Sequence, residues 1–203
     1  MSLFHTDKTF FHILLLDADM SFRPEVVLRL IAFRAAFTCA AYPQRNLSLE
    51  QIRRLAENDA AAPKPDRQST EALLAKALAY NVQATLNLGE PWQSEHRDGF
   101  RTVSGAGTGL MLIERTVPET MVASGAAPAR KRHNALPLYS GAEFHDFFSH
   151  LTDRDGDLMY GEDQSFCRRW VAQCGGRIWC DKTAIVTHHG HFPYRGQYNL
   201  KGE

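Results

Sequence analysis

The sequence has no net charge, no Cys-x-x-Cys pair and no apolar run of the roughly 18 residues that a transmembrane helix needs. Because 23 basic residues balance 23 acidic ones, overall charge gives no reason to expect a nucleic acid or an anionic membrane as partner. The 4 dispersed cysteines disfavour a thiolate zinc site and favour buried reduced thiols, which indicates a cytoplasmic protein. Residues 1–8 also lack the basic leader and apolar core of a secretory signal.

What the chain does contain fits a single α/β domain. Its 203 residues, 44% of them hydrophobic, are an ordinary length and composition for one globular unit. We predict one domain over residues 1–203, with mobile surface loops near 58–69 and 122–138, where Pro, Gly and Ala interrupt the periodic pattern. The basic run Arg130-Lys131-Arg132 lies in the second loop, either as a solvated stretch or as a contact for a diphosphate.

Strand and helix signals alternate along the chain. The apolar run Ile13–Leu16 predicts a buried strand, and Pro24 favours the start of a helix after it. A second buried strand at 37–41 would complete a strand–helix–strand unit, which favours a parallel pair with a right-handed crossover. Further elements are predicted as helices from Ser48 to about Glu57, Thr70 to Tyr80 and Glu162 to Gln173, and as strands at 82–87, 100–104, 109–115, 178–179 and 184–186.

Two carboxylates, Asp17 and Asp19, directly follow the first predicted strand. Alternation in an extended segment points both side chains to the same side, so one divalent cation could contact both. The carboxyl ends of strands are also where open α/β sheets bind their ligands. Asp-x-Asp is a short motif, however, and a surface turn or a helix-capping Asp would account for it equally well.

Two further groups of polar residues come late in the chain. Glu162 and Asp163 open a predicted helix. They are either ordinary residues of a helix N-terminus or a rigidly held carboxylate able to take a proton from an attacking hydroxyl. A histidine cluster that includes His188 and His191 follows the predicted last strand. One neutral imidazole could complete a metal site with the acidic pair, and the alternative is a surface loop.

A glycine-rich run, Gly105–Gly109, precedes a predicted strand. It lacks the Lys and the helix of a phosphate-binding loop and does not match the dinucleotide-binding pattern Gly-x-Gly-x-x-Gly. We interpret it either as a tight turn beneath a bound sugar or acceptor, or as a simple bend between strands.

These motifs form an ordered set that covers nearly the whole chain, from His12 to Gly196. Its segments are Leu14–Met20 with Pro24, Gly105–Arg115, Gly161–Trp170, Gly175–Trp179, His188-x-Gly190 and Tyr194-x-Gly196. In this order they resemble the glycosyltransferases of the GT-A fold, especially the family-two-like bacterial proteins. The resemblance implies a Rossmann-like mixed sheet flanked by helices. It also implies transfer of a sugar from a nucleotide-sugar donor to a hydroxyl of a glycan or other acceptor.

The resemblance implies roles for individual residues as well. Asp17 and Asp19 would hold Mn²⁺ or Mg²⁺ on the donor diphosphate, with His188 as a third ligand. Asp163 would be the general base, and Glu162 beside it would contact the acceptor. The residues expected to contact the substrates are Gly107, Thr108, Gly109, Trp170, His191 and Tyr194. His191 is also the second candidate, after His188, for the third metal ligand.

One departure from the family concerns the segment before Asp-x-Asp. In the GT-A fold, strand–helix–strand segments there bind the base and ribose of the donor, but only 12 residues precede Ile13 here, too few for a βαβ unit. We therefore expect an N-terminally truncated form, corresponding to the C-terminal portion of the domain, or one completed by another chain. The missing strands should leave an exposed sheet edge, which a homo-oligomer would cover.

Two other functions stay open on the sequence. The first is a non-catalytic sugar- or nucleotide-binding module on the same scaffold. The second is a phosphohydrolase with Asp17 as nucleophile, although that family expects a Gly-Thr-like continuation where this chain has Met20-Ser21-Phe22.

Overall fold

The computed structural model describes residues 1–84, 93–130, 144–153, 155–157 and 159–201, without the side chains of residues 2, 3, 200 and 201. The strands are β1 His12–Leu16, β2 Met20–Phe22, β3 Phe37–Ala40, β4 Pro43–Leu47, β5 Leu78–Tyr80, β6 Val82–Gln83, β7 His96–Arg97, β8 Phe100–Val103, β9 Gly105–Ala106, β10 Leu110–Glu114, β11 Ala129–Arg130, β12 Phe144–His145, β13 Ile178–Asp181, β14 Ile185–His189 and β15 Pro193–Gln197. The helices are α1 Ser2–Thr6, α2 Glu25–Ala32, α3 Leu49–Ala61, α4 Thr70–Ala77, α5 Thr116–Ala123 and α6 Glu162–Arg168, with short 3₁₀ turns at Lys64–Asp66 and Tyr198–Lys201.

A six-stranded mixed sheet in the order β1-β10-β3-β13-β8-β7 forms the centre of the protein. β13 runs parallel to β3, and the other neighbouring pairs are antiparallel. β1 and β3 point the same way, as the strand–helix–strand unit predicts, but they are not neighbours. β10 lies between them because it pairs with both, with Ile113 opposite Ile13 on one side and Phe37 on the other.

Alternation along the central strands gives the sheet two apolar faces. On β10, Leu110 and Leu112 belong to one buried cluster, and Met111 and Ile113 belong to the other. α2 covers the first face, and α5 and α6 cover the second. The residues that these helices bury in the two clusters are Val26 and Leu30 from α2, Val117 and Met121 from α5, and Phe166 and Cys167 from α6. The protein is therefore an α/β fold with a mixed sheet flanked by helices, as predicted.

The first strand is not buried, contrary to the prediction from its apolar run. β1 is an edge strand that pairs with β10 on one side, and Leu14 and Leu16 are 38% and 48% exposed. Phe10 and Phe11 just before it are 60% and 75% exposed. An apolar run predicts burial of the whole strand only when the strand has neighbours on both sides, and among the described residues β1 pairs with β10 alone. Coverage of this edge by self-association stays a prediction.

The last predicted strand does not close the main sheet. It begins at Ile185, continues through His188 to His189, and pairs with β15 and β2 in a separate three-stranded sheet. β15 was not predicted, because Pro193 and Gly196 are residue types that are more typical of turns than of strands. His188 consequently lies within a strand rather than in a loop after it, on a part of the backbone that is paired on both sides.

Helix ends differ from the predictions by a few residues. The helix capped by Ser48 has the expected cap, with Ser48 Oγ accepting from the Gln51 amide at 3.2 Å, but it runs to Ala61 and takes in the start of the predicted loop. The helix from Thr70 ends at Ala77, because the chain turns there into β5.

The helix that begins at Glu162 continues as a π-helical turn at Arg169–Gln173. Gly175 then adopts the predicted left-handed conformation, with φ at 68°. Parts of the predicted strand at 82–87, of the loop at 122–138 and of the basic run at 130–132 lie outside the described residues. Among the helices of the described residues, none is long and apolar enough to cross a membrane.

Candidate functional site

Three strand ends meet at one edge of the main sheet. The carboxyl ends of β1 and β3 and the amino end of β10 lie together, because β10 runs antiparallel to both. Asp17 follows β1, Tyr42 comes two residues after β3, and Gly109 precedes β10. The Asp17 amide donates to the Gly109 carbonyl at 3.3 Å, and the Gly109 amide donates to Tyr42 Oη at 3.2 Å. These two hydrogen bonds fix the backbone from which the first carboxylate projects.

The second carboxylate contacts two basic side chains. Asp19 Oδ2 lies 3.1 Å from Arg45 Nη1 and 3.3 Å from His188 Nε2. The His188 ring is buried, and its Nδ1 is 2.9 Å from the Pro43 carbonyl oxygen. A carbonyl can only accept, so Nδ1 carries a proton. Nε2 therefore faces Asp19 with a lone pair when the ring is neutral and with a second proton when it is charged.

Asp17 and Asp163 line the same cleft, which has a volume of about 460 Å³. The residues around this cleft are Leu14, Leu15, Leu16, Asp17, Thr108, Phe148, Glu162 and Asp163. Asp163 Oδ2 accepts from the Thr108 amide at 3.1 Å, which anchors one oxygen of the carboxylate. The cleft thus brings the predicted base, its neighbouring acid and the first Asp of Asp-x-Asp together.

The negative charges of Asp17, Asp19 and Asp163 act on one another at this edge of the sheet. Although Asp17 is exposed at the mouth of the cleft, desolvation raises its pKa, and the negative charges of Asp19 and Asp163 raise it further. The positive charges of His188 and Arg45 lower this pKa in part. Desolvation is the largest cause of this raised pKa, and the two neighbouring carboxylates add negative charge that a bound cation would offset.

Tyr42 explains the glycine-rich run independently of any ligand. Tyr42 is a buried residue, and burial raises the pKa of its hydroxyl to about 12, so the hydroxyl stays neutral beneath the site. A Cβ on Gly107 or Gly109 would overlap the Tyr42 ring or hydroxyl. The run is therefore needed to pack this turn on Tyr42. Contact between the glycines and a sugar stays a prediction, while Thr108 between them does line the cleft.

The other residues with predicted roles are dispersed. Tyr194 on β15 lies opposite His188 in the three-stranded sheet and is buried there, stacked on Phe192. His191 is exposed in the turn that joins β14 to β15. The structure does not bring Trp170 to the cleft, because its indole nitrogen donates to the Arg177 carbonyl at 3.0 Å.

Two residues of the site were missed by the sequence analysis. Arg45 contacts Asp19 from β4, a strand that is separate from every motif, and nothing in its local sequence distinguishes it from a surface arginine. Tyr42 had a usable signal, because it follows a strand parallel to the one that ends at Asp17, so the two residues share a sheet edge.

The described residues include no group of three or more His, Cys, Asp or Glu side chains that could hold a metal ion as they stand. Asp19 and His188 form a pair of such side chains, and the Arg45 guanidinium lies against the same Asp19 oxygen. The acidic site thus has an internal cation in contact with it in this conformation.

No family model and no curated protein matches the chain. Among solved structures, it is similar to the crystal structure of A197 from STIV, with 16% identity and a TM-score of 0.41. The match covers 93% of this chain and 63% of that one, so the chain spans less than two thirds of the length of that protein.

Proposed function

We propose that this chain is a GT-A-like glycosyltransferase domain that moves a sugar from a nucleotide-sugar donor to an acceptor hydroxyl, with Mn²⁺ or Mg²⁺ as cofactor. One observation carries the proposal: the acidic pair after β1 lies between a buried histidine and a cleft that contains a further carboxylate. Asp19 contacts His188, and Asp17 shares the cleft with Asp163. Residues that are far apart in the sequence thus lie in contact or in one cleft, and this proximity supports a proposal of metal-assisted group transfer.

The donor atoms fit a divalent cation. Carboxylate oxygens of Asp17 and Asp19 suit Mn²⁺ and Mg²⁺, and an imidazole nitrogen suits Mn²⁺ better than Mg²⁺. Nδ1 of His188 is held by the Pro43 carbonyl, so Nε2, which lies 3.3 Å from Asp19 Oδ2, would be the ligand nitrogen. The cation would neutralise charge on the departing diphosphate. Arg45 holds Oδ2 of Asp19 in this conformation, so a divalent cation and the guanidinium would compete for this carboxylate.

In the proposed chemical step, Asp163 is the general base. The acceptor oxygen attacks the anomeric carbon of the donor, and Asp163 takes the proton from that hydroxyl. The bond between the anomeric carbon and the diphosphate oxygen breaks, and its electron pair leaves with the nucleoside diphosphate. Asp163 lies in the first turn of α6, which begins directly after the N-cap Gly161, and the Thr108 amide holds one carboxylate oxygen, so the proposed base is positioned before substrate arrives.

The test is turnover of a panel of nucleotide sugars with Mn²⁺, read as release of nucleoside diphosphate. The wild-type chain should release it from at least one donor, and Asp19→Ala should abolish the release. Asp66→Asn, a charge loss on the exposed 3₁₀ turn at Lys64–Asp66, serves as the matched control and should change nothing.

Two outcomes favour the other candidate functions. Binding of glycan or nucleotide without turnover, and without dependence on metal, would support a non-catalytic binding module. Release of inorganic phosphate that is lost in Asp17→Asn would support the phosphohydrolase.

A further inference from the structure

Arg45 brings a full positive charge to the acidic site from a separate part of the fold. It lies on β4, two residues after Pro43, whose carbonyl fixes the tautomer of His188. Its guanidinium contacts Asp19 through Nη1 at 3.1 Å, while 53% of the side chain is exposed. The backbone of Arg45 lies on β4 between Pro43 and Leu47, which both pair with β5, and its side chain is exposed at the surface of the site.

The path of the side chain is also shaped by the turn after His188. A Cβ on Gly190 would lie 2.9 Å from Arg45 Cδ, so the absence of a side chain at Gly190 lets the arginine stem pass close to the backbone. The Tyr194 ring lies 3.2 Å from the same Cβ position. This passage directs the guanidinium to the edge of the site where Asp19 and His188 meet.

We propose that Arg45 is a diphosphate-binding residue of this chain, an inference that rests on the proposed function. It neutralises Asp19 while no divalent cation is bound, and it pairs with the diphosphate of the nucleotide sugar once a cation has taken its place. Arg45 thus competes with the metal for Asp19 and strengthens binding of the donor diphosphate.

The chemistry of the two partners supports this exchange. Half-exposed ion pairs such as the one between Arg45 and Asp19 are weak, so a divalent cation can displace the guanidinium. A guanidinium presents five N–H donors in a fixed fork that matches two phosphate oxygens. A displaced Arg45 stays tethered by β4 beside the metal, which is where the diphosphate would lie.

The experiment measures two affinities for each variant. Mn²⁺ binding alone is followed by the free-ion electron paramagnetic resonance signal, and binding of a nucleoside diphosphate in saturating Mn²⁺ is followed by calorimetry. The variants are Arg45→Met and Arg45→Lys. Arg53→Met is the matched control, because Arg53 is an exposed arginine of α3 whose ion pair is with Glu57.

The two affinities should move in opposite directions. Without the competing charge, Arg45→Met should bind Mn²⁺ about two- to fivefold more tightly. Having lost its contact with the diphosphate, it should bind the nucleoside diphosphate about tenfold more weakly. Arg45→Lys should retain the wild-type affinity for Mn²⁺ but lose part of the diphosphate affinity, since an ammonium cannot make the two-pronged contact. Arg53→Met should match the wild type in both.

The opposed changes separate this inference from a general structural role. A variant that merely disturbs the site would weaken both affinities, and that result would overturn the inference. Unchanged affinities in Arg45→Met would overturn it too, while leaving the proposed function standing. A wild-type chain that binds neither Mn²⁺ nor nucleoside diphosphate would overturn the proposed function itself.

Discussion

Replacing Asp163 by Asn isolates proton transfer from every other property of the site. The Asn side chain has the same size, and its amide oxygen can still accept from the Thr108 amide, which is 3.1 Å from Asp163 Oδ2. What the variant loses is the ability to take a proton. Removing a positioned general base lowers rates by about 10²–10⁴-fold, which corresponds to a barrier higher by roughly 3–5 kcal/mol.

The same substitution has a predictable electrostatic effect. The negative charge of Asp163 is one of the causes that raise the pKa of Asp17. Its removal should bring that pKa closer to the ordinary value and relieve repulsion in the cleft. We expect the free energy of unfolding at pH 7 to change little, and the melting temperature of Asp163→Asn checks that a loss of activity does not come from unfolding.

The assay compares kcat, the affinity for the nucleotide-sugar donor and the melting temperature in Asp163→Asn, Asp66→Asn and the wild type. The expected pattern is a large fall in kcat for Asp163→Asn alone, with donor affinity and melting temperature preserved. Transfer at the wild-type rate in Asp163→Asn would refute the assignment of the base. A fall in donor affinity comparable to the fall in kcat would show instead that this carboxylate binds substrate.

Three further predictions concern the stability of the fold and its self-association. Tyr42→Phe removes the acceptor of the Gly109 amide and should lower the free energy of unfolding by about 1–3 kcal/mol in urea titrations at pH 7. Because burial raises the pKa of Tyr42 from 10.0 to about 12, its contribution is complete below pH 10 and is lost as pH rises through 12. Wild-type stability should therefore fall more steeply than that of Tyr42→Phe over this interval, and parallel curves would contradict the assignment. Ser48→Ala should cost about 1 kcal/mol of stability by removing the cap on the Gln51 amide, and an unchanged denaturation midpoint would argue against that cap. Leu14→Lys places a charge on the exposed edge of β1 and should shift any dimer toward monomer in light scattering, whereas a mass that does not respond would argue against pairing at this edge.

The sequence predicted local structure well because local structure depends on neighbouring residues. The strand before Asp17, the helix after Pro24 and the cap at Ser48 all arise from patterns within a few positions. The order of strands could not be predicted in the same way. β10 enters between β1 and β3 through contacts between residues about 75 to 100 positions apart, and no short motif encodes that pairing.

The residues of the candidate site likewise fall into those that local sequence identifies and those that depend on distant contacts. Asp17, Asp19 and His188 were identifiable because each is an unusual polar residue beside an apolar strand. Arg45 was not, since its importance depends on β4 lying beside β14, which only the folded chain reveals. Trp170 shows the opposite case, in which a motif suggested a substrate contact and the structure turns the ring toward Arg177 instead.

The most direct test of a metal-dependent nucleotide-sugar site is the calorimetric affinity for a nucleoside diphosphate, measured with Mn²⁺ and with EDTA. Wild type and Asp19→Ala are compared under both conditions. The account predicts tight binding only for the wild type with Mn²⁺, and equally weak binding in the other three measurements. Equal affinity in all four measurements would contradict it.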